Sequence, residues 1–122
     1  NSPLVSVVMP LRNAQFTIEK AIASLRRQSY ENLEIILVDH ASEDNSPALI
    51  KKAASGDKRI RCFRQEGSFV EAANFAWQSS KGELIARMDS DDIAHSTRIE
   101  NQVAFLQRSR SFGDDLVLLA HE

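Results

Sequence analysis

"LEIILVD", residues 33–39, is apolar at nearly every position and ends on an acid. A strand with one face in water alternates apolar and polar residues. A nearly continuous apolar run is expected when both faces of a parallel sheet are covered. Upstream, "LVSVVM" at 4–9 is a second such run, closed by Pro10, and Ile18, Ala21, Ile22 and Leu25 recur at helical spacing between the two. Downstream, Ser46 is placed to cap a helix that has Pro47 at its first position and Gly56 at its stop. "IRCFR" from Ile60 predicts a third strand, about 69 to 80 a helix ended by Lys81-Gly82, and "ELIARM" from Glu83 a fourth strand. A last helix is expected from Thr97 to Arg108 with Ile99, Val103 and Leu106 on its buried side, and "LVLLA" near the end is a strand candidate with no evident partner. Such alternation with short connections implies an α/β domain spanning residues 1–122. Its mostly parallel sheet should have right-handed crossovers and helices on both faces.

Composition narrows the classes of function. The chain has 122 residues, 43% hydrophobic, with a net charge of −2 and no long run of one sign. That describes a globular domain with a real core and gives no basis for a nucleic-acid partner. The single cysteine, Cys62, excludes an intrachain disulfide and a cysteine zinc site. No apolar stretch approaches the roughly 18 residues a membrane span needs. The composition predicts a soluble, cytoplasmic domain.

In open parallel sheets, ligands bind beyond the carboxyl ends of the strands. The stretches to inspect are therefore Pro10 to Asn13, Asp39 to Asp44, Gln65 to Ser68 and Asp89 to Asp92. The last lies in "IARMDSDDIAH", residues 85–95, where three aspartates crowd into four positions. Like charges that close repel, so a cation is expected among them. In an extended segment Asp89 and Asp91 would point the same way, and two hard oxygen donors suit Mg²⁺ or Mn²⁺. The competing role is to cap the next helix, but Thr97 and Glu100 already stand at capping-box spacing. Asp39 is either a turn residue or a ligand contact. "PLRNAQ" after the first strand contains no glycine, and no GxxxxGK[ST] is present, which sets aside NAD, FAD and P-loop readings. His40, His95 and His121 lack metal-ligand spacing and are expected at the surface or in turns, and Ser90 has no histidine partner.

In this order the pieces resemble the nucleotide-binding half of family 2 glycosyltransferases, which have the Rossmann-like GT-A fold. The stretches that carry the resemblance are "VSVVMPLRNA", "SLRRQSYENLEIILVDHASEDNS" and "KGELIARMDSDDIAHSTRIENQVAFL", from Pro3 to about Gln107. The resemblance implies an inverting transferase that moves a sugar from a nucleoside diphosphate, most often UDP. The acceptor is then a glycan or lipid-linked molecule in bacterial cell-surface polysaccharide synthesis. It assigns nucleotide contacts to Pro10, Arg12, Asn13, Asp39, Asn74 and Asp89, and Mn or Mg binding to Asp91 with Asp89. It places the protein in the cytoplasm, with any attachment to the inner face of the membrane made by parts outside this chain. It also puts the general base, with the C-terminal acceptor half, beyond residue 122. The sequence departs from the family's pattern at four places. Arg12 stands where many members carry Tyr or Phe, His40 replaces a common second acid, Ala73 replaces an arginine, and Ala76-Trp77 replaces Gly-Leu. Two alternatives remain: a non-catalytic GT-A-like nucleotide-binding module, and a Mg-dependent D-x-D phosphotransferase. The latter expects a threonine where Ile93 stands, and its motif normally follows the first strand.

Overall fold

The computed structural model describes residues 2–108 and 117–119. The chain runs β1 (Val5–Leu11), α1 (Ile18–Arg26), β2 (Leu33–His40), α2 (Ser46–Gly56), β3 (Ile60–Gln65), α3 (Phe69–Ser79), β4 (Leu84–Arg87), α4 (Arg98–Arg108) and β5 (Val117–Leu119). All strand pairs are parallel, and the order across the sheet is β3-β2-β1-β4-β5. "LVLLA" thus contributes the short β5, whose partner is β4.

The apolar run at β2 is divided by its period of two. Ile35 and Leu37 join Val5, Val7, Met9 and Leu11 of β1 in a core closed by α1, α2 and α4 through Ile18, Leu25, Ile50, Ile99 and Val103. Ile36 and Val38, with Val8 and Ile85, face α3, which covers them with Ala72 and Ala76. Fully burying an aliphatic side chain of this kind contributes about 1.5–3 kcal/mol. The chain moves outward from β1 to β3 with α1 and α2 on one face, then returns past β1 to β4 with α3 on the other. This change of side is what right-handed crossovers require. The lateral reversal places a topological switch point between β1 and β4, where ligands collect in such sheets.

Local signals in the sequence were partly redirected by tertiary contacts. Pro10 lies inside β1 instead of closing it. Val8 O accepts from Met88 N at 3.1 Å, so every second residue of β1 turns its backbone toward β4. The β1–β4 pairing ends at Val8, so the missing N–H of Pro10 falls where no partner stands. Ser46 does not cap α2. Asn45 holds the cap position, and the buried Ser46 hydroxyl accepts from Ala14 N at 2.8 Å. The Thr97–Glu100 box is also replaced, since Glu100 Oε1 accepts from Ser29 Oγ and the Thr97 hydroxyl lies 3.2 Å from His95 Nδ1. The box that does form was not foreseen, and it joins Ser68 and Glu71 at the start of α3. Gly82 is needed for close approach to β1, because a Cβ there would meet Leu4 O at 2.7 Å.

Beneath α3, Glu34 is buried where β1, β2, β3 and the turn before β4 meet. Its Oε2 accepts from Ser6 Oγ at 2.5 Å and Lys81 N at 2.6 Å, and its Oε1 from Arg61 Nη2 at 3.0 Å. Burial alone would raise its pKa. The Ser6, Lys81 and Arg61 donors more than offset this and hold the carboxyl below its ordinary value.

At the carboxyl end of the sheet, the loops after β1 and β2 are zipped together. Asn13 N donates to Ser42 Oγ, Gln15 N to Asp44 Oδ2, and Glu43 N to Asn13 Oδ1. Two non-glycine residues there have left-handed backbones, Asn13 at φ 51° and Ala41 at φ 61°. Asparagine tolerates this region and alanine does not. Ala41→Gly should therefore stabilise the fold by up to about 1 kcal/mol, measured as a higher denaturant midpoint with an unchanged m-value.

Candidate functional site

The acidic segment that follows β4 is a turn and not the extended run expected from its spacing. Asp92 N donates to Asp89 O at 3.1 Å, and Asp89 N donates to Asp92 Oδ2 at 3.2 Å. Folding the segment back still brings the carboxylates together. Asp89, Asp91 and Asp92 each offer an oxygen within 4.8 Å of the others. Asp92 was counted among the three crowded acids of "DSDD" in the sequence but was given no role of its own there.

Asp89 has one ion pair with a neighbouring arginine. Arg87 Nη2 lies 3.6 Å from Asp89 Oδ1, and both side chains are substantially exposed. A solvated pair at that distance contributes at most about 1 kcal/mol. Three converging hard oxygens fit Mg²⁺ or Mn²⁺, which take one or two carboxylates and fill the remaining shell with water and phosphate oxygens. The turn is held rigid from both sides. Met88 is buried and bonded to β1, Ala94 N donates to Ser24 Oγ at 2.9 Å, and Gln28 Nε2 donates to His95 O at 2.7 Å.

Asp89 and Asp91 line a cleft of about 590 Å³ together with Pro10, Arg12, Asn13, His40 and Phe69. Five of the residues singled out from the sequence, Pro10, Arg12, Asn13, Asp89 and Asp91, are thus brought to one cavity at the switch point. Within it Asn13 already uses its carboxamide oxygen to hold the Glu43 amide. Asn74 lies on the exposed side of α3 and does not line the cleft. Asp39 does not line the cleft and is only 1% exposed. Arg64 Nη1 donates to Asp39 Oδ2 at 2.7 Å, while Oδ1 is buried without a hydrogen-bond partner.

His40 departs from its expected surface position. It is 8% exposed, lines the cleft, and meets the Phe69 ring edge-on with centroids 5.8 Å apart. Burial and then the Arg12 charge lower its pKa, against the opposing effect of Asp39. Phe69, 43% exposed, also stands under the Arg87 guanidinium at 5.3 Å. Two further clefts lie elsewhere, one between α1 and α2 and one between the α1–β2 connection and α4. Neither is at the carboxyl ends of the strands. No helix among the described residues is long and apolar enough to cross a membrane.

Comparison with known proteins follows the same geometry. A relative from Escherichia coli, the UDP-Glc:alpha-D-GlcNAc-diphosphoundecaprenol beta-1,3-glucosyltransferase WfaP, is 35% identical over 111 residues, which is 89% of this chain and 43% of that protein. Among solved structures, Staphylococcus aureus TarS in complex with UDP superposes with a TM-score of 0.78 at 23% identity, over 86% of this chain and 32% of that one. The mannosyltransferase PcManGT from Pyrobaculum calidifontis, in complex with GDP-Man and Mn²⁺, superposes with a TM-score of 0.76 at 26% identity, over 87% and 33%. The chain spans less than half the length of the curated relatives it matches. The Glycosyl transferase family 2 model matches residues 6–114. With nearly the whole chain so matched, on a parallel sheet of the GT-A kind, the protein belongs to glycosyl transferase family 2.

Proposed function

We propose that this chain is the donor-binding part of an inverting glycosyltransferase that uses a nucleoside-diphosphate sugar, UDP-linked, with Mn²⁺ or Mg²⁺. The observation that carries the proposal is the convergence of Asp89, Asp91 and Asp92 within 4.8 Å at a cleft on the switch point. Support also comes from a relative whose name specifies a UDP-sugar donor and from the GDP-Man and Mn²⁺ complex of a similar fold. Asp91, the most exposed of the three, and Asp89 would hold the ion, and Asp92 fixes the turn that aims them. When bound, the ion offsets the negative charge that builds on the diphosphate as the sugar leaves. Pro10 and the Arg12 guanidinium shape the cleft wall at the end of β1, on which a base can rest. Asp39, next in sequence to the cleft-lining His40, has one oxygen held by Arg64 and keeps the other, Oδ1, for the nucleotide.

The acceptor hydroxyl must lose a proton to a base on the opposite face of the sugar. The proposal places that base, and an acceptor that is a glycan or a lipid-linked molecule of a bacterial cell surface, with the longer part of the relatives' chains. It places the reaction in the cytoplasm. Calorimetry tests the donor site directly. UDP should bind at least about 10-fold more tightly with Mn²⁺ than without it, and inorganic diphosphate should show the same dependence. Equal UDP affinity with and without the ion would overturn the metal-diphosphate reading.

A further inference from the structure

We propose that Arg87 is an exchangeable counter-charge of the donor site: its guanidinium pairs with Asp89 and passes to the diphosphate when a divalent ion takes that carboxylate. This inference rests on the donor site described above and adds to it a residue that couples capture of the ion to capture of the anion.

Three observations meet at Arg87. First, its guanidinium stands between two residues that line the cleft, with Nη2 3.6 Å from Asp89 Oδ1 and Cζ 5.3 Å from the centre of the Phe69 ring. Second, the contact with Asp89 is too long for a hydrogen bond, so the fork of N–H donors is not spent on that carboxylate. Third, the side chain is 41% exposed on a fixed base. Arg87 pairs with Val8 in the sheet, and its carbonyl accepts from Arg98 Nη2 at 3.3 Å. An aromatic ring holds a guanidinium by its face and leaves the donors at its edge open. The head can therefore turn from one anion to another without leaving the ring.

Charge decides the exchange. Asp89 is one of the three carboxylates that converge at the cleft. A guanidinium and a divalent ion on one carboxylate repel each other, so Arg87 weakens capture of the ion alone. The diphosphate reverses the sign. It brings several negative charges to the same end of the cleft, and a planar fork of donors matches a phosphate group in geometry as well as in charge. Arg87 thus opposes the ion alone and favours the ion together with diphosphate. Its substitution should move the two affinities in opposite directions, which loss of a purely structural contact would not do.

Arg87→Met keeps an unbranched stem over Phe69 and removes the charge, and Arg87→Lys keeps the charge without the fork. Calorimetry should show Mn²⁺ alone bound about 2- to 5-fold more tightly by the Met variant, the reach of one solvated ion pair. Inorganic diphosphate, titrated at saturating Mn²⁺, should bind about 10-fold more weakly, with the Lys variant between the two in both titrations. Mn²⁺ affinity unchanged or weakened by Arg87→Met, or diphosphate affinity unchanged, would overturn the exchange while leaving the donor site standing. No Mn²⁺-dependent diphosphate binding by the unaltered protein would remove the donor site and this role together. Should the Met variant fail to fold, the Arg87 Nε–H resonance of the unaltered protein decides, with diamagnetic Mg²⁺ as the ion. It should shift when Mg²⁺ is added and again when diphosphate joins it. A resonance unmoved by diphosphate would overturn the proposal.

Discussion

Asp91→Asn should abolish the gain in UDP affinity that Mn²⁺ confers, a loss on the order of 100-fold, or about 2.7 kcal/mol. The amide keeps the size of the side chain and one oxygen, but it removes the charge that attracts a divalent ion. Asp91 is the exposed member of the cluster and accepts none of the turn's backbone hydrogen bonds, so its loss should leave the fold intact. Affinity for UDP without metal should be unchanged. Asp92→Asn provides the contrast. Its Oδ2 accepts from Asp89 N, a task an amide oxygen can still perform, so the metal-dependent term should fall less. Calorimetry of UDP on the two variants, with and without Mn²⁺, separates them. If Asp91→Asn binds UDP and Mn²⁺ as the unaltered protein does, the acids after β4 are not ion ligands.

The largest effect on stability is expected far from the cleft, at Glu34. Glu34→Ala removes the acceptor for three donors at once: the Ser6 hydroxyl, the Lys81 amide and the Arg61 guanidinium. All three come from chain segments remote in sequence, at separations of 28, 47 and 27 residues. The cost should be about 2–4 kcal/mol, or roughly 10 °C in Tm. The pH dependence has a definite sign. The folded pKa of Glu34 lies below its ordinary 4.5, so its ionised form contributes stability that is full above about pH 4.5 and lost as pH falls through the folded value. Glu34→Gln should therefore show a flatter fall in Tm on acidification from pH 5 than the unaltered protein. Parallel curves would mean that the carboxylate is not held in its charged form.

How much of this was legible in the sequence depended on how local each signal was. β2 and its neighbours could be read because two covered faces leave an almost unbroken apolar run, and the helices because Ile18, Ala21, Ile22 and Leu25 repeat at helical spacing. The acids after β4 stood out for the same reason, being adjacent in the chain. What failed depended on partners distant in sequence. Ser46 had the right residue type for a cap, but Ala14 N, 32 residues away, claimed its hydroxyl. Glu100 was taken by Ser29, 71 residues away. Asp39 was expected to end its strand, but β2 runs on to His40, and the partner of the Asp39 carboxylate is Arg64, which arrives from β3 in register. His40 looked like a turn residue until α3 laid Phe69 against it. Pro10 read as a stop, because nothing in its own stretch tells that β4 ends early on that side of β1.

The grip of α1 and the connection after it on the segment after β4 has one more consequence. Ser24, Gln28 and Ser29 fasten residues 94 to 99 from the rear of the molecule, and Met88 fastens the other end to β1. The backbone that carries the three carboxylates is thus set before any ion arrives, and little main-chain entropy remains to be lost on capture. Exchange of residues on the back of a helix that never meets the donor would then be felt at the cleft mouth as a change in how tightly a cation is held.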